Sequence, residues 1–211
     1  MNDSWYLWED VDRSPDENMR IDAALLADSE KLGGAPVLRL YGWDRPSVTI
    51  GYTQKEDAVP DRGSREVVKR PTGGGVVFHD NDLTYTVVVP AGHWIEGLDR
   101  VESYRAIHKA LVRALGSFGI ECLLTGESSG KVDRATMRCF ATPTKYDVLA
   151  ADSGLKVAGA AQRRTKNGVL HQGSVALDRV GRGRGELARE LTKAFEREFD
   201  MEFEPFEWDG G

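Results

Sequence analysis

Cysteine is scarce in this chain: Cys122 and Cys139 are the only two among 211 residues. Two cysteines make no disulfide framework and cannot complete a cysteine-rich zinc site. The four histidines show no paired ligand spacing, so no metal centre is expected. Long apolar runs are missing too, which argues against a membrane-spanning helix. The opening Met1-Asn2-Asp3-Ser4-Trp5 has no basic region followed by an apolar stretch, so no signal peptide is read and a cytoplasmic protein with reduced thiols is expected. There is no cationic excess: the formal net charge of -6 argues against a nucleic-acid binder, which needs a positive surface to neutralise phosphates. What remains, 40% hydrophobic and 29% charged residues, is ordinary for a soluble protein. A single domain spanning 1–211 with a real core is expected.

Glycine, by contrast, is concentrated. Lys69-Arg70-Pro71-Thr72-Gly73-Gly74-Gly75-Val76-Val77-Phe78-His79-Asp80 places three glycines between a basic pair and a strand. Adjacent glycines lose much conformational entropy on folding and supply no packing. Their use is either a hairpin turn or a close approach of bare backbone to a ligand. A second segment, Lys156-Val157-Ala158-Gly159-Ala160-Ala161-Gln162-Arg163-Arg164, again joins a cation to small residues. Two such segments in one small domain point to a ligand site. Further cations gather at Arg163 to Lys166 and Arg179 to Arg184. In an acidic protein such patches suit docking of a small acidic partner, although the glycine–arginine stretch 181–185 reads as solvated loop charge.

The periodicity gives a coarse frame. Ser14-Pro15-Asp16-Glu17 predicts a capped helix start, with Met19, Ala23 and Leu26 on one face and an end near Gly33-Gly34. Val37 to Trp43 and Ser47 to Tyr52 read as a hairpin around Asp44-Arg45-Pro46. Val67 to Pro71 and Gly75 to His79 extend that sheet, and 83–89 follows as a strand. From Val101 the spacing of Tyr104, Ile107, His108, Leu111, Leu115 and Phe118 is helical, closing at Gly119. Ile120 to Leu124 is a short strand, and an aperiodic loop runs from Thr125 to about Arg138. Tyr146 to Ala150 and Leu155 to Gln162 form a hairpin around Asp152-Ser153-Gly154. A strand from Val169 to Leu177 and a helix from about Glu186 to Phe199, with Leu187, Leu191, Ala194 and Phe195 inward, complete the chain. The fold class is α/β (α+β), with a mixed, mostly antiparallel sheet covered by helices.

Few residues offer chemistry. Cys139 follows Arg138 at the end of the aperiodic loop, and a neighbouring cation makes a thiol a better nucleophile by stabilising its thiolate. Cys122, in an apolar strand, reads as a small buried hydrophobe. Lys156 opens a strand beside small residues: it is an exposed strand lysine, an anion binder, or a proton acceptor if buried. His79, next to Asp80, and His171 each stand near a glycine-bearing segment and are acid/base candidates or locally satisfied histidines.

Arg70 to Asp80 with Leu83-Thr84-Tyr85 resembles the glycine-rich signature of the biotin/lipoate protein ligase superfamily. Lys156 to Gln162 resembles that superfamily's lysine motif in its lipoate/octanoate branch. Glu17-Asn18-Met19-Arg20-Ile21-Asp22, Leu40-Tyr41-Gly42-Trp43 with Ser47 to Gln54, and Leu170-His171-Gln172-Gly173-Ser174 match as well, so the likeness covers most of the chain. The biotin branch has a glycine–arginine repeat where this chain has three glycines. The resemblance implies the catalytic-domain fold of that superfamily. It also implies one of two chemistries. Lipoate ligases activate a free acid with ATP and magnesium as an acyl-adenylate. Octanoyltransferases take the acyl group from acyl carrier protein through a cysteine thioester and need no cofactor.

Cys139-Phe140, Pro143 and Tyr146, with the helix start Val101-Glu102-Ser103-Tyr104-Arg105, resemble the cysteine-dependent octanoyltransferases. The expectation of one catalytic domain, without a separate C-terminal accessory domain, points the same way. Two features depart from that pattern: Gly75 stands where many of those transferases have arginine, and His171-Gln172 inverts their Gln-His order. A ligase core completed by an accessory chain is the alternative, and a non-catalytic acyl-binding module a third reading. On the transferase reading Cys139 and Lys156 are catalytic. Arg70, Gly73, Gly74, Gly75, His79, Tyr85, Gly159, Ala160, Ala161 and His171 bind substrate, with the acyl tail in a cleft of Gly73 to Gly75, Val76, Val77 and Tyr85. The implied partners are octanoyl-acyl carrier protein as donor and a lipoyl domain or glycine-cleavage H protein as acceptor, with no nucleic acid and no membrane.

Overall fold

The computed structural model describes residues 3–60, 62–126 and 147–208. In chain order the strands and α-helices are β1 (Asp3–Glu9), α1 (Pro15–Ala27), β2 (Val37–Tyr41), β3 (Ser47–Ile50), β4 (Glu66–Lys69), β5 (Val77–His79), β6 (Asp82–Pro90), α2 (Arg100–Gly116), β7 (Cys122–Leu124), β8 (Val148–Ala150), β9 (Lys156–Thr165), β10 (Gly168–Ala176), the one-turn α3 (Leu177–Val180), α4 (Arg184–Phe199) and β11 (Met201–Pro205). Eight strands form one sheet in the order β11-β1-β2-β6-β10-β9-β8-β7, and β4-β3-β5 form a second. Only the pairs β1–β11, β1–β2 and β3–β4 are parallel among the described strands. The fold is therefore α/β with a mostly antiparallel sheet flanked by helices.

Local sequence explains the helices. Ser14 caps α1 by accepting from the Glu17 backbone N–H, while the Glu17 carboxylate accepts from the Ser14 N–H at 3.2 Å. The face α1 buries is Asn18, Met19, Ile21, Asp22, Leu25 and Leu26. Ala23, expected inward, is exposed; the inward stripe carries Asn18 and Asp22 because buried partners satisfy both. A 3₁₀ turn at Ser29–Leu32 carries the chain to Gly33, whose φ of 62° suits glycine. In α4 the buried residues are Leu187, Leu191, Ala194 and Phe195, as its period predicts.

One face of the large sheet packs on α2 and α4 through Leu83, Tyr85, Val87, Ile107, Leu111, Val175, Leu191 and Phe195. The other face receives α1, with Ile21, Leu25, Leu26, Val37, Val88 and Leu170 in contact. One expectation needs correction. β2 and β3 do not form a hairpin: β2 pairs with β1 and β6, whereas β3 pairs with β4 and β5. Asp44-Arg45-Pro46 is thus a crossing between sheets, and both strands are buried throughout. The terminal strands β1 and β11, which sequence patterning left unassigned, pair in parallel, and Trp5 stacks on Phe199 with centroids 4.8 Å apart. Among the described residues no helix is long and apolar enough to cross a membrane.

Candidate active site

The chain leaves the large sheet after β2, builds the small sheet, and returns through β5 into β6. That detour creates a solvent-open cleft between the two sheets. Met19, Tyr41, Trp43 and Val77 give it an apolar lining, and Gly159, Ala160, Ala161, Gln172, Gly173 and Ser174 form its floor. Gly159 and Gly173 must be glycine because a Cβ would strike the Lys156 and Tyr85 side chains respectively.

The glycine segment lies above Ala161. A Cβ on Gly74, whose φ is +88°, would come 3.6 Å from the Ala161 Cβ, and one on Gly51 would strike the Gly74 carbonyl. Arg70 holds this loop. Its Nε and Nη2 donate to the Gly73 carbonyl at 3.0 and 2.7 Å, Nη2 to Gly75 at 2.6 Å, and Nη1 to the Thr49 carbonyl and Oγ1 at 3.1 Å. A guanidinium has five N–H donors, and these five bonds engage them. Arg70 lines the cleft, but it acts as a clamp for the glycine backbone.

At the far end of the cleft His79 stacks on Trp43 with centroids 4.0 Å apart. Its partner is Asp82, 2.8 Å from Nδ1, while the adjacent Asp80 binds Arg65. Nε2 lies 2.9 Å from Thr49 Oγ1; a tautomer protonated on Nδ1 accepts there and donates to Asp82. The same Asp82 oxygen accepts from Thr84 and Ser174 hydroxyls at 2.8 and 2.6 Å, and Trp43 donates to Thr84 at 2.8 Å. Burial pushes the Asp82 carboxyl up, but His79 and these hydrogen bonds outweigh it and hold it below its ordinary value. These polar groups are spent on one another, so the cleft suits an apolar chain.

Lys156 is set against Gly159, behind the cleft floor, by a register step. Leu149 pairs with Lys156 but Val148 with Ala158, so Val157 is an extra residue in β9. Val157 and Ala158 consequently both enter the main core. Such a bulge re-aims the neighbouring side chain. Lys156 lies back over Gly159, where a Cβ would stand 2.5 Å from its Nζ. Its ammonium pairs with Asp147 at 2.8 Å, and the two side chains are 1% and 0% exposed. Arg179 donates to the Lys156 carbonyl at 2.5 Å. Cys139, with Pro143 and Tyr146, lies outside the described residues.

The structure brings Gly159, Ala160, Ala161, His79 and Arg70 together around the cleft, with Lys156 packed against Gly159. Tyr85 and His171 are corrected: both are fully buried and turned toward α2. On β10 Gln172 and Ser174 line the cleft. Alternation along the strand then sends His171 to the opposite face, where Nε2 meets the Tyr85 hydroxyl at 3.3 Å and Nδ1 meets Gln162 at 3.0 Å. Burial, then His108, hold His171 well below its ordinary pKa. Val76 also leaves the cleft, packing with Val48, Ile50 and Val59. The cationic clusters are partly committed: Arg184 pairs with Asp12, Arg182 covers the Phe118 ring at 5.0 Å, and Arg164 binds the Glu96 carbonyl and Ser103.

Gly73, Gly74 and Gly75, expected to floor the cleft, are not among its lining residues; Arg70 is. Over residues 14–194 the sequence matches the lipoyl protein ligase A/B catalytic domain. The chain belongs to that family. Octanoyltransferase LipM of Halalkalibacterium halodurans is 32% identical over 186 residues, covering 83% of this chain and 67% of its own. Octanoyltransferase LipM of Carboxydothermus hydrogenoformans is 36% identical over 180 residues, covering 83% and 65%. The chain thus spans about two thirds of the length of these relatives. In structure it resembles the bi-partite lipoate protein ligase solved with its E2 lipoyl domain from Thermoplasma acidophilum: TM-score 0.69, 19% identity, 97% of this chain and 88% of that one. That likeness is one of fold.

Sequence reasoning missed Asp147, Asp82 and Asp22. Asp147 had one readable signal: it sits at the start of the hairpin arm opposite Lys156. Asp82 has His79 and Thr84 close by in sequence, but Ser174 reaches it from 92 positions away; Asp22, inside the matching segment 17–22, meets Gln172 from 150 positions away.

Proposed function

We propose that this protein is an octanoyltransferase that moves an octanoyl group from acyl carrier protein, through a thioester on Cys139, to a lysine of a lipoyl domain or of glycine-cleavage H protein. Its relatives named octanoyltransferase support the reaction class. The observation that supports the reading in the structure is the buried Lys156–Asp147 pair packed against Gly159, a residue that lines the apolar cleft.

The Cys139 thiolate attacks the donor thioester, forming a carbon–sulfur bond as the carrier thiolate leaves and takes a proton from the Lys156 ammonium. The acceptor amine then attacks the acyl-enzyme. A carbon–nitrogen bond forms, the Cys139 thiolate leaves, and the surplus amine proton returns to Lys156. Asp147 holds the Lys156 side chain in place through the cycle. Backbone N–H groups of 159–161 are suited to stabilise the tetrahedral oxyanion. Dividing the transfer lets one bulky carrier leave before the next arrives. Exposed cations such as Arg163 and Lys166 favour encounter with acidic carriers. This route uses no ATP and no magnesium.

The test follows intact masses of the protein with octanoyl-acyl carrier protein and apo H protein, without ATP. An octanoyl adduct lost in Cys139→Ala, together with acylated H protein, is expected. Transfer only with free octanoate, ATP and magnesium replaces this reading with an adenylating ligase. Octanoate binding without turnover in either mixture replaces it with a binding module.

A further inference from the structure

Asp22, on the inner face of α1, is fully buried and is not among the residues lining the cleft. Four donors converge on it. Oδ1 accepts from Arg39 at 2.7 Å; Oδ2 accepts from the Tyr41 hydroxyl at 2.9 Å, the Thr86 hydroxyl at 2.7 Å and the Gln172 amide at 2.7 Å. A carboxylate has the lone pairs for four donors, whereas an asparagine amide offers one oxygen. With its NH₂ committed to Asp22, Gln172 presents Oε1 on its other side, and that oxygen accepts from Thr72 Oγ1 at 2.7 Å. Thr72 is fully buried, immediately precedes the three glycines, and accepts from the Tyr52 N–H at 3.0 Å through its carbonyl.

A hydrogen-bonded line therefore runs from Arg39 through Asp22 and Gln172 to the root of the glycine loop. Arg70 grips the same loop through Gly73 and Gly75. Glycines have no side chains with which to anchor themselves, so these two grips set where the loop lies over Ala161, a residue that lines the cleft. We propose that Asp22 is a positioning residue. It holds Gln172, which lines the cleft, and through Thr72 it fixes the glycine loop over Ala161, and so sets the space left to an acyl chain. The inference rests on the reading of the cleft as an acyl site.

The test uses the full chain, with octanoate binding followed by calorimetry and octanoyl transfer followed by steady-state kinetics. Thr72→Val removes the donor while keeping shape, and Thr72→Ser restores the hydroxyl. Thr72→Val is expected to weaken octanoate binding and raise KM for the octanoyl donor about three- to tenfold with kcat nearly unchanged, and to lower the melting temperature by a few degrees because Gln172 Oε1 loses its donor. Thr72→Ser is expected to stay within about twofold of wild type. Asp22→Asn, where it folds, should raise KM similarly, and adding Thr72→Val should then cost little more. Wild-type octanoate affinity in Thr72→Val, or a serine variant as impaired as the valine one, overturns the proposal. A wild type that binds octanoate but transfers none overturns the transferase reading, and the binding comparison still decides the role of Asp22.

Discussion

Lys156 and Asp147 lie 2.8 Å apart with both side chains withdrawn from solvent. Removing one partner of such a pair leaves an uncompensated buried charge, at a cost of about 3–5 kcal/mol. Asp147→Asn should therefore lower the urea midpoint strongly as well as slow transfer. Asp147→Leu combined with Lys156→Met removes both charges, so it should recover much of the stability and none of the transfer. A double variant no more stable than Asp147→Asn would show that the charges are not what the pair contributes to folding.

Gly159 is where backbone and chemistry meet. A Cβ there would collide with the Lys156 side chain and stand 3.0 Å from Asp147 Oδ1. Gly159→Ala should displace the ammonium and reduce transfer at least about tenfold, while octanoate binding falls less. Gly116→Ala, at the end of α2 with open space around it, is the control and should leave activity unchanged. Full transfer activity in Gly159→Ala would remove Lys156 from the mechanism.

How much was legible in the sequence follows from which signals are local. The capping box at Ser14, the inner stripe of α4 and the hairpin around 152–154 all depend on neighbouring residues, and each forms as expected. The two-sheet arrangement was not legible, because β2, β3, β6 and β10 are buried along their whole lengths and show no alternation to reveal which face meets what. The same uniform burial hid that Gln172 faces the cleft and His171 the core. Lys156 was chosen by motif, yet its orientation depends on a one-residue bulge that no local pattern announces.

Acid should weaken the fold before it reaches the carboxylates. Burial and His108 hold His171 well below its ordinary pKa, so it stays neutral in the native state at neutral pH. An unfolded histidine titrates near ~6.5. Below that pH the unfolded chain binds a proton that the native chain refuses, so the contribution present above ~6.5 is lost as pH falls toward the native value. The slope is up to about 1.4 kcal/mol per pH unit. Asp82, held below its ordinary 3.8, acts in the same direction but only at lower pH. The urea midpoint should drop between about pH 6.5 and 5.5, and His171→Asn should flatten that drop. A slope unchanged in His171→Asn would assign it to other groups.

The two cysteines should separate by reactivity. Burial, then the nearby Asp152, push the Cys122 thiol up to about 11, so at pH 8 only about one molecule in a thousand carries its thiolate. The thiolate is the species that alkylates. On the proposed mechanism Cys139 reacts as a thiolate, so brief treatment with iodoacetamide should place a single adduct on Cys139. Prior incubation with octanoyl-acyl carrier protein should block it, and Cys139→Ser should take up almost none. Preferential labelling of Cys122 would contradict the burial that raises its thiol. Equal labelling of Cys139 with and without the acyl donor would mean that the acyl group never resides on that sulfur, and the protein would have to reach its acceptor by another route.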